Sequence, residues 1–364
     1  MTSQLQQTYP SKSMRRLPKK NAVILFNLGG PDSKQAIRPF LIRFFMDPNI
    51  IAAPYLVRFF ISRLIAWRRS KKEAGTSYGV LGNKSPLLEN TQKQAEALQA
   101  VLGDTYKVFI CMRYWHPLTA QIVEEVKAYN PDHIVLLPLY PQYSTSTTLS
   151  SIQEWQKECH KQGLSVPTAL TCCYPFDEGF IAASADNIRK AYSGLQQECG
   201  RAPRLLFSAH GLPEKIIEKG DPYQWQCEEG ARKIAAATQI PNLDWSICYQ
   251  SRVGSLKWIG PSTEEALHKA AADKMPVLIY PHAFVSEHVE TLVEIEVEYR
   301  ELAHEIGVPA FARVSTVSTH PDFIEGLRKM VEANKDVMGY PHPAHPRLCP
   351  GEFGKCCHNC ITIV

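Results

Sequence analysis

The hydrophobic pattern alternates between short apolar runs and longer segments with helical periodicity. Apolar runs of strand length occupy residues 21–28, 107–112, 133–139, 168–173 and 275–280. Helical periodicity lies between them, most clearly over residues 87–102 and 118–129. This alternation predicts an α/β fold in which parallel sheets are covered by helices on both faces.

Three short motifs occur once in each half of the chain, in the same order. The pairs are NLGGP at 27–31 with AHGLP at 209–213, FICMRY at 109–114 with SICYQSR at 246–252, and VLLPLYP at 135–141 with VLIYP at 277–281. They predict two related α/β halves that face each other across a cleft at their strand ends. We place the units at 21–175 and 176–335, with a disordered basic arm at 1–20 and a cysteine-rich tail at 336–364.

An acidic stripe follows the apolar run 275–280. In the stretch 281–302 we predict the end of a strand followed by a helix that Ser286 caps through its side-chain oxygen. At 100° per residue, five of the six acids of this helix share an arc of roughly 80°. They are Glu287, Glu290, Glu294, Glu298 and Glu301. Such a stripe is usually a solvated helix face. Here it begins where a strand ends, which is where open α/β sheets place their sites.

His210 also stands at a strand end, between small residues and before a Gly-Leu-Pro turn. A lone histidine is more often structural than catalytic, but little here would bury it. Its imidazole can accept a proton near neutral pH or bind a metal. Carboxylates such as Glu290 attract hard cations. If the two residues face each other across the cleft, they suit metal transfer coupled to proton removal.

The first half carries an insertion at about residues 38–86 that is rich in aromatic and basic side chains. Its apolar members are Phe40, Leu41, Phe44, Phe45, Phe59, Phe60 and Trp67, and its arginines are Arg43, Arg58, Arg63, Arg68 and Arg69. One interpretation is a pair of core-packing helices. The other is an apolar lip beside the cleft that contacts a membrane surface or a large flat ligand.

Composition narrows the class of protein. The chain has 364 residues, of which 45% are hydrophobic and 21% charged, and its net charge is +4. That charge is too small to indicate nucleic-acid binding. We see no secretory signal and no membrane span, so we expect a cytoplasmic protein, with contact to the inner-membrane surface as an open alternative. Its 11 cysteines should then be thiols or metal ligands, not disulfides.

Four of these cysteines crowd into the tail, at Cys349, Cys356, Cys357 and Cys360. Such density indicates a zinc site or an iron–sulfur cluster more than free thiols. If only three of them bind the metal, an interior cysteine must supply the fourth ligand. The candidates for that ligand are Cys172 and Cys173.

Taken together, the motifs resemble those of one family, the ferrochelatases, which insert ferrous iron into a porphyrin to make haem. The resemblance covers about residues 21–335. It is carried by NLGGP at 27–31, RYWHP at 113–117, PQYS at 141–144, SAHGLP at 208–213, YQSRVG at 249–254 and FVSEHVETL at 284–292.

The resemblance implies two Rossmann-like lobes, as in class II chelatases, with a porphyrin in the cleft. His210 and Glu290 would form the iron site, and Glu287, His288, Glu294 and Glu298 would line the route for metal or protons. Porphyrin propionates would be held by Arg113, Tyr78 and Ser85. The apolar walls would include Leu28, Leu41 and Phe44. The tail resembles that of cluster-bearing bacterial members, which hold a [2Fe–2S] centre through three tail cysteines and one interior cysteine.

Several alternatives stay open at this stage. The porphyrin could be protoporphyrin IX or coproporphyrin III, and the metal could be cobalt. A haem-binding or redox-sensing protein without turnover is a rival of another class. A homodimer is one arrangement we consider. Family members often have isoleucine where His282 stands, so this residue is either a third imidazole near the site or a buried polar group that needs a partner.

Overall fold

The computed structural model describes residues 19–75, 77–252, 256–342 and 346–363. The arm that we predict to be disordered, residues 1–20, lies almost wholly outside these ranges. Its disorder therefore stays a prediction. The motif at 249–254 also ends outside the described residues.

Within the described residues, the strands form two parallel four-stranded sheets. The first has the order β2-β1-β3-β4 and the second the order β6-β5-β7-β8. The strands are β1 Asn21–Asn27, β2 Tyr106–Met112, β3 His133–Pro138, β4 Thr168–Leu170, β5 Arg204–His210, β6 Trp245–Gln250, β7 Val277–Pro281 and β8 Phe311–Arg313. The identical order agrees with the repeated motifs, and the predicted α/β class is confirmed.

Helices cover both sheets. The α-helices are α1 Lys34–Phe45, α2 Tyr55–Gly75, α3 Ser77–Val80, α4 Leu87–Leu102, α5 Thr119–Tyr129, α6 Ser150–Gln162, α7 Glu178–Cys199, α8 Glu214–Glu218, α9 Tyr223–Thr238, α10 Thr263–Ala272, α11 Arg300–Glu305, α12 Pro321–Asn334 and α13 Cys357–Cys360. Two π-helices, Thr145–Leu149 and Glu290–Tyr299, precede α6 and α11. No described helix is both long enough and apolar enough to cross a bilayer.

The two sheets share a core. One apolar cluster holds Val23 and Leu25 of β1 together with Leu205 and Phe207 of β5. Side chains of α4, α7 and α12 join the same cluster. The predicted boundary at 175/176 falls in the loop before α7. The apolar cluster contains residues from both sides of this boundary, so both lobes contribute to it. The exact division into units stays a prediction.

The insertion at 38–86 contains both packed and exposed apolar side chains. Leu41 is buried in α1 against its neighbours, as a core helix requires, and Phe44 is half-buried. In α2 six large apolar side chains instead face solvent, although Ala66 and Ile65 pack inward. The six exposed side chains are Tyr55, Leu56, Val57, Phe60, Leu64 and Trp67. Phe60 is 69% exposed, so this face of α2 is not packed within the described structure.

The tail folds back onto the first lobe. Gly339 N donates to Thr168 O at 2.8 Å, which extends the edge of β4, and Tyr340 exchanges backbone hydrogen bonds with Ile363. Cys172 and Cys357 form a disulfide across 185 residues of sequence. Our expectation that the cysteines would not form disulfides is therefore wrong for this pair. The physical reason is that the docked tail brings the two sulfurs into contact.

Two glycines let α7 and α12 cross closely. A Cβ on Gly179 would meet the carbonyl oxygen of Asp322 and the backbone of Gly326. We therefore expect Gly179→Ala to destabilise the protein by about 1–3 kcal/mol through overpacking. Gly194→Ala on the same helix is the control, because no heavy atom lies within 4 Å of its Cβ position. That change should be neutral or stabilise by up to about 1 kcal/mol. Urea unfolding of both variants measures the difference, and equal free energies would contradict it.

Candidate active site

The carboxyl ends of the second sheet bring polar residues together. The register pairs His210 of β5 with Gln250 of β6, and Ser208 of β5 with Pro281 of β7. His210 is therefore the last residue of a central strand, at the sheet edge where parallel sheets present functional groups. Its Nδ1 lies 2.7 Å from the carbonyl oxygen of Gly211. Since a carbonyl only accepts, Nδ1 carries the hydrogen and Nε2 is free to act as a base or ligand.

The other ring nitrogen of His210 faces Glu290. His210 Nε2 is 3.9 Å from Glu290 Oε1, and His288 Nε2 is 3.5 Å from Glu290 Oε2. The His210 side chain is 37% exposed and that of Glu290 is 27% exposed, so solvent or a ligand can reach both. The structure thus brings together two imidazoles and a carboxylate from separate segments.

The basic groups around Glu290 keep its carboxyl ionised. Burial alone would raise the pKa of the Glu290 carboxyl. The neighbouring His210 and His288 rings and the Arg69 guanidinium outweigh this effect and lower the pKa to about 2. Glu290 is therefore ionised at neutral pH, and its charge is available to attract a metal ion.

The helix that carries the stripe differs from the prediction. A loop follows β7, and the segment Glu290–Tyr299 is a π-helix with i→i+5 hydrogen bonds. Ser286 does not cap it, because its hydroxyl donates to Gln94 Oε1 at 2.7 Å. The arc calculated at 100° per residue does not apply to this wider helix. The predicted cap by Ser286 is therefore wrong, and most of the stripe lies on a π-helix instead of an α-helix.

Glu287 is held in place by three hydrogen-bonding partners. Arg313 Nη1 lies 3.0 Å from its carboxylate, Thr316 N donates at 2.9 Å and the Thr291 hydroxyl donates at 2.6 Å. Burial opposes ionisation, but the Arg313 charge and these hydrogen bonds lower the pKa of Glu287. The carboxylate braces the loop before the π-helix.

Glu294 lies next to Glu290 and has a different environment. It accepts hydrogen bonds from Ser251 N at 2.7 Å, Ser251 Oγ at 2.6 Å, Gln250 Nε2 at 3.0 Å and Tyr299 Oη at 3.0 Å. Burial and the Glu290 charge together raise the pKa of Glu294. Glu294 is therefore the more basic carboxylate of the two. Glu298, one step further along, is exposed.

The predicted apolar wall adjoins this cluster. Val289, the residue before Glu290, packs against the same apolar cluster as Leu28 and Phe44, and α3 contacts the π-helix. Tyr78 of α3 is buried in the same apolar cluster. Ser85 is half-buried, and its hydroxyl accepts from Leu87 N at 3.3 Å. Of the six predicted substrate contacts, Leu41 and Tyr78 are buried within this apolar cluster.

Arg113 sits in a separate network. Its Nη2 is 2.8 Å from Asp47 Oδ2 and its Nε donates to Ser150 Oγ at 2.7 Å. Asp47 also accepts from Tyr114 Oη at 2.8 Å. Arg113 and Asp47 line a cavity of about 540 Å³, and neither His210 nor Glu290 is among its lining residues.

Sequence reasoning missed Asp47 and Arg313. Asp47 is fully buried and neutralises Arg113 from 66 positions away, and Arg313 fixes Glu287 from 26 positions away. Asp47 is an isolated acid within the aromatic and basic insertion. This isolation was the one feature of the sequence that could have singled it out. Arg313 carries no local signal.

The six cysteines that we singled out gather in one region. The sulfurs of Cys172, Cys173 and Cys357 lie within 4.8 Å of one another. The buried Gln226 amide nitrogen lies 3.4 Å from Cys173 Sγ and 3.1 Å from Cys349 Sγ. Interaction with the neighbouring Cys349 thiol lowers the pKa of Cys356.

These sulfurs form a thiol-rich, largely buried donor set. Cys360 packs against the apolar cluster that contains Cys356 and Tyr143. The chemistry of the set suits a thiolate-bound metal or cluster.

His282 is the buried polar group of the two alternatives, not a third imidazole in the site. It is fully buried, and its Nε2 lies 2.8 Å from the carbonyl oxygen of Cys227. Its Nδ1 has no hydrogen-bond partner within the described residues. Burial lowers the pKa of His282 to about 4, so this ring is neutral.

The fold resembles that of a solved chelatase structure. The structure titled "SirB from Bacillus subtilis with Fe3+" superposes with a TM-score of 0.51 and 13% identity, over 87% of this chain and 97% of that chain. A SirB structure from Bacillus subtilis subspecies spizizenii in complex with cobalt also has a TM-score of 0.51. At this identity the likeness shows a common fold.

Sequence comparison is more specific. Proteins named "Ferrochelatase" from Caulobacter vibrioides, Pelagibacter ubique and a Wolbachia of Drosophila simulans are 48%, 44% and 49% identical to this chain. The alignments cover 93%, 93% and 85% of this chain and 98%, 98% and 97% of those relatives. The profile of the family described as "Ferrochelatase" matches residues 20–335. With the predicted motifs all inside that span, the chain belongs to the ferrochelatase family.

Proposed function

We propose that this chain inserts ferrous iron into a porphyrin in haem synthesis, and that the cluster of His210, His288 and Glu290 carries out the insertion. One observation supports the assignment of the site above all. His210 Nε2 and Glu290 Oε1 come within 3.9 Å of each other, although the two residues are distant in sequence. Family membership supports the reaction, and this juxtaposition supports the place where it occurs.

The residues have distinct roles in this proposal. Metallation releases two pyrrole protons, so the site needs a base. His210 Nε2 is that base, because Nδ1 is occupied by Gly211 and orients the ring. Glu290 stays ionised and attracts Fe²⁺. Glu294, with its raised pKa, receives protons from the site, and the exposed Glu298 passes them to solvent.

The porphyrin lies against the apolar wall in this proposal. Leu28, Phe44 and Val289 contact one face of the macrocycle, and Tyr78 and Ser85 lie near its propionates. Leu41 supports that wall from inside α1. Arg113, which Asp47 already neutralises, orients the wall through Tyr114 more than it binds a propionate.

We also propose that the cysteine region holds a [2Fe–2S] cluster. The disulfide engages Cys172 and Cys357, which leaves Cys173, Cys349, Cys356 and Cys360 as the four thiols of the region. Gln226 touches two of them and Cys356 interacts with the other three. Such a cluster would supply one-electron redox chemistry and a structural cross-link.

Cysteine variants test the ligand set. We expect Cys360→Ser to lose most of its iron and acid-labile sulfide, together with the visible absorbance of the anaerobically purified protein. Cys172→Ser is the control and should keep them, because that cysteine is not in the proposed set. Iron and sulfide analysis of both proteins measures this. A cluster retained in Cys360→Ser, or lost in Cys172→Ser, would contradict the assignment.

The exposed face of α2 is our proposed membrane contact. Apolar side chains such as Leu56 and Phe60 alternate with Arg63 and Arg68, a composition that suits an anionic bilayer surface. We expect Phe60→Glu to reduce co-sedimentation with phosphatidylglycerol vesicles at least fivefold. Val101→Glu, an exposed apolar site on α4, is the control. Equal binding of both variants to the vesicles would contradict this proposal.

A homodimer stays a prediction that sedimentation equilibrium can decide.

An anaerobic metallation assay tests the proposed function. Purified protein is given Fe²⁺ or Co²⁺ with protoporphyrin IX or coproporphyrin III, and the metalloporphyrin is quantified. We expect turnover with Fe²⁺ to exceed that with Co²⁺. Preferred use of Co²⁺ would favour a cobalt chelatase. Tight porphyrin binding without metallated product would favour a haem-binding or redox-sensing protein.

A further inference from the structure

The first turn of α9 contacts both the strand end that carries His210 and the cysteine tail. On the active-site side, the hydroxyl of Tyr223 donates to the carbonyl oxygen of His210 at 3.0 Å. Tyr223 is buried in an apolar cluster with Ala209 and Tyr249. The hydroxyl therefore holds the backbone of His210 from inside the protein.

On the opposite side, the tail packs against the same turn and the loop before it. The rings of Trp225 and Phe353 lie 5.9 Å apart, and Lys355 N donates to Gly220 O at 3.0 Å. Gly220 has φ +92°, and a Cβ there would lie 2.8 Å from Gly354 N. The tail thus approaches so closely that only glycine fits at this position.

A buried carboxylate connects the first turn of α9 to the first lobe. Asp221 is fully buried and accepts from Tyr223 N at 3.0 Å and from Thr145 N at 2.8 Å. The segment 220–223 is therefore fixed to the first lobe at one end and to the tail at the other. Displacement of the tail would loosen the segment on which Tyr223 depends.

We infer that Tyr223 is a positioning residue for His210, and that the docked tail secures Tyr223 through the first turn of α9. The inference rests on the proposed role of His210 as the base. Small displacements of a catalytic group are enough to lower turnover strongly, since the reacting atoms must lie within about 3–3.5 Å. The tail then matters for the insertion rate through packing, in addition to any redox role of its thiols.

Removal of the Tyr223 hydroxyl tests whether this residue positions His210. We expect Tyr223→Phe to lower kcat about tenfold while KM for the porphyrin changes less than twofold. Tyr280→Phe is the matched control, because its buried hydroxyl donates to Ser184 Oγ at 2.7 Å and does not contact His210. Its kcat should stay near wild type. Wild-type kcat in Tyr223→Phe, or equal losses in both variants, would overturn the inference.

A double-mutant cycle tests the role of the tail. Phe353→Ala removes the contact with Trp225 and should lower kcat about tenfold, with its iron content measured in parallel to exclude loss of a cluster. If the tail acts through Tyr223, adding Tyr223→Phe should lower kcat less than twofold further. Additive losses would contradict the coupling.

Hydrogen exchange separates this inference from the proposed function. In both single variants, amides of the peptide 209–212 should exchange at least tenfold faster than in wild type, while those of β1 should not change. This result would support the positioning role even if the wild-type protein metallated no porphyrin. Unchanged exchange at 209–212 would refute it whatever the activity.

Discussion

Replacement of His210 by alanine is expected to lower kcat for iron insertion by about 10³-fold or more. A positioned general base typically contributes about 10²–10⁴-fold, and His210 Nε2 also faces Glu290, the proposed ligand of the cation. The fold should survive, because the side chain is 37% exposed and its one hydrogen bond is to the adjacent residue. Anaerobic initial rates, together with the melting temperature from circular dichroism, measure both effects.

The control for this change is His268→Ala. His268 is exposed on α10, outside the cluster, so its loss should leave kcat unchanged. Turnover within threefold of wild type in His210→Ala would reject His210 as the base. A parallel fall in kcat and melting temperature would mean that the ring supports the fold instead.

Glu290→Gln should give the second-largest loss, about 10²-fold in kcat/KM for Fe²⁺. The amide keeps the shape of the side chain but removes a charge that is present at neutral pH, because the pKa of Glu290 is about 2. A carboxylate that binds a hard cation loses most of its affinity when it becomes neutral. The loss should appear mainly as weaker use of Fe²⁺, with KM for the porphyrin nearly constant. Steady-state rates over a range of Fe²⁺ concentrations measure it.

Glu301→Gln is the matched control for that variant. Glu301 belongs to the predicted stripe but is exposed on α11, beyond the π-helix. Its amide should behave as wild type. If both variants retain full use of Fe²⁺, the carboxylate at position 290 does not take part in metal delivery.

Much of the fold followed from local pattern. Apolar runs marked the strands because both sheets are buried on two faces, and repeated motifs marked equivalent strand ends such as Asn27 and His210. The π-helix could not be predicted, since its hydrophobic spacing over 290–299 resembles that of an α-helix. Ser286 was assigned as a cap from its residue type, whereas its partner Gln94 is 192 positions away.

Site residues could be predicted where their position in the sequence was informative. They could not be predicted where their role depends on partners that are distant in sequence. His210 and Glu290 could be singled out from their position after strands. Glu287 forms an ion pair with Arg313, and Arg113 forms one with Asp47. Only the tertiary fold brings these partners together. Cysteine density indicated a metal site, but the contact between Cys172 and Cys357 depends on how the tail docks.

A crystal structure of the protein with metal-free protoporphyrin, grown without oxygen, tests most directly whether insertion occurs at His210 and Glu290. We predict that the macrocycle lies against Leu28 and Val289, with His210 Nε2 about 3–3.5 Å from a pyrrole nitrogen, the range for a reacting pair. A porphyrin bound elsewhere, for example in the cavity beside Arg43 and Arg58, with His210 left in solvent, would contradict the account.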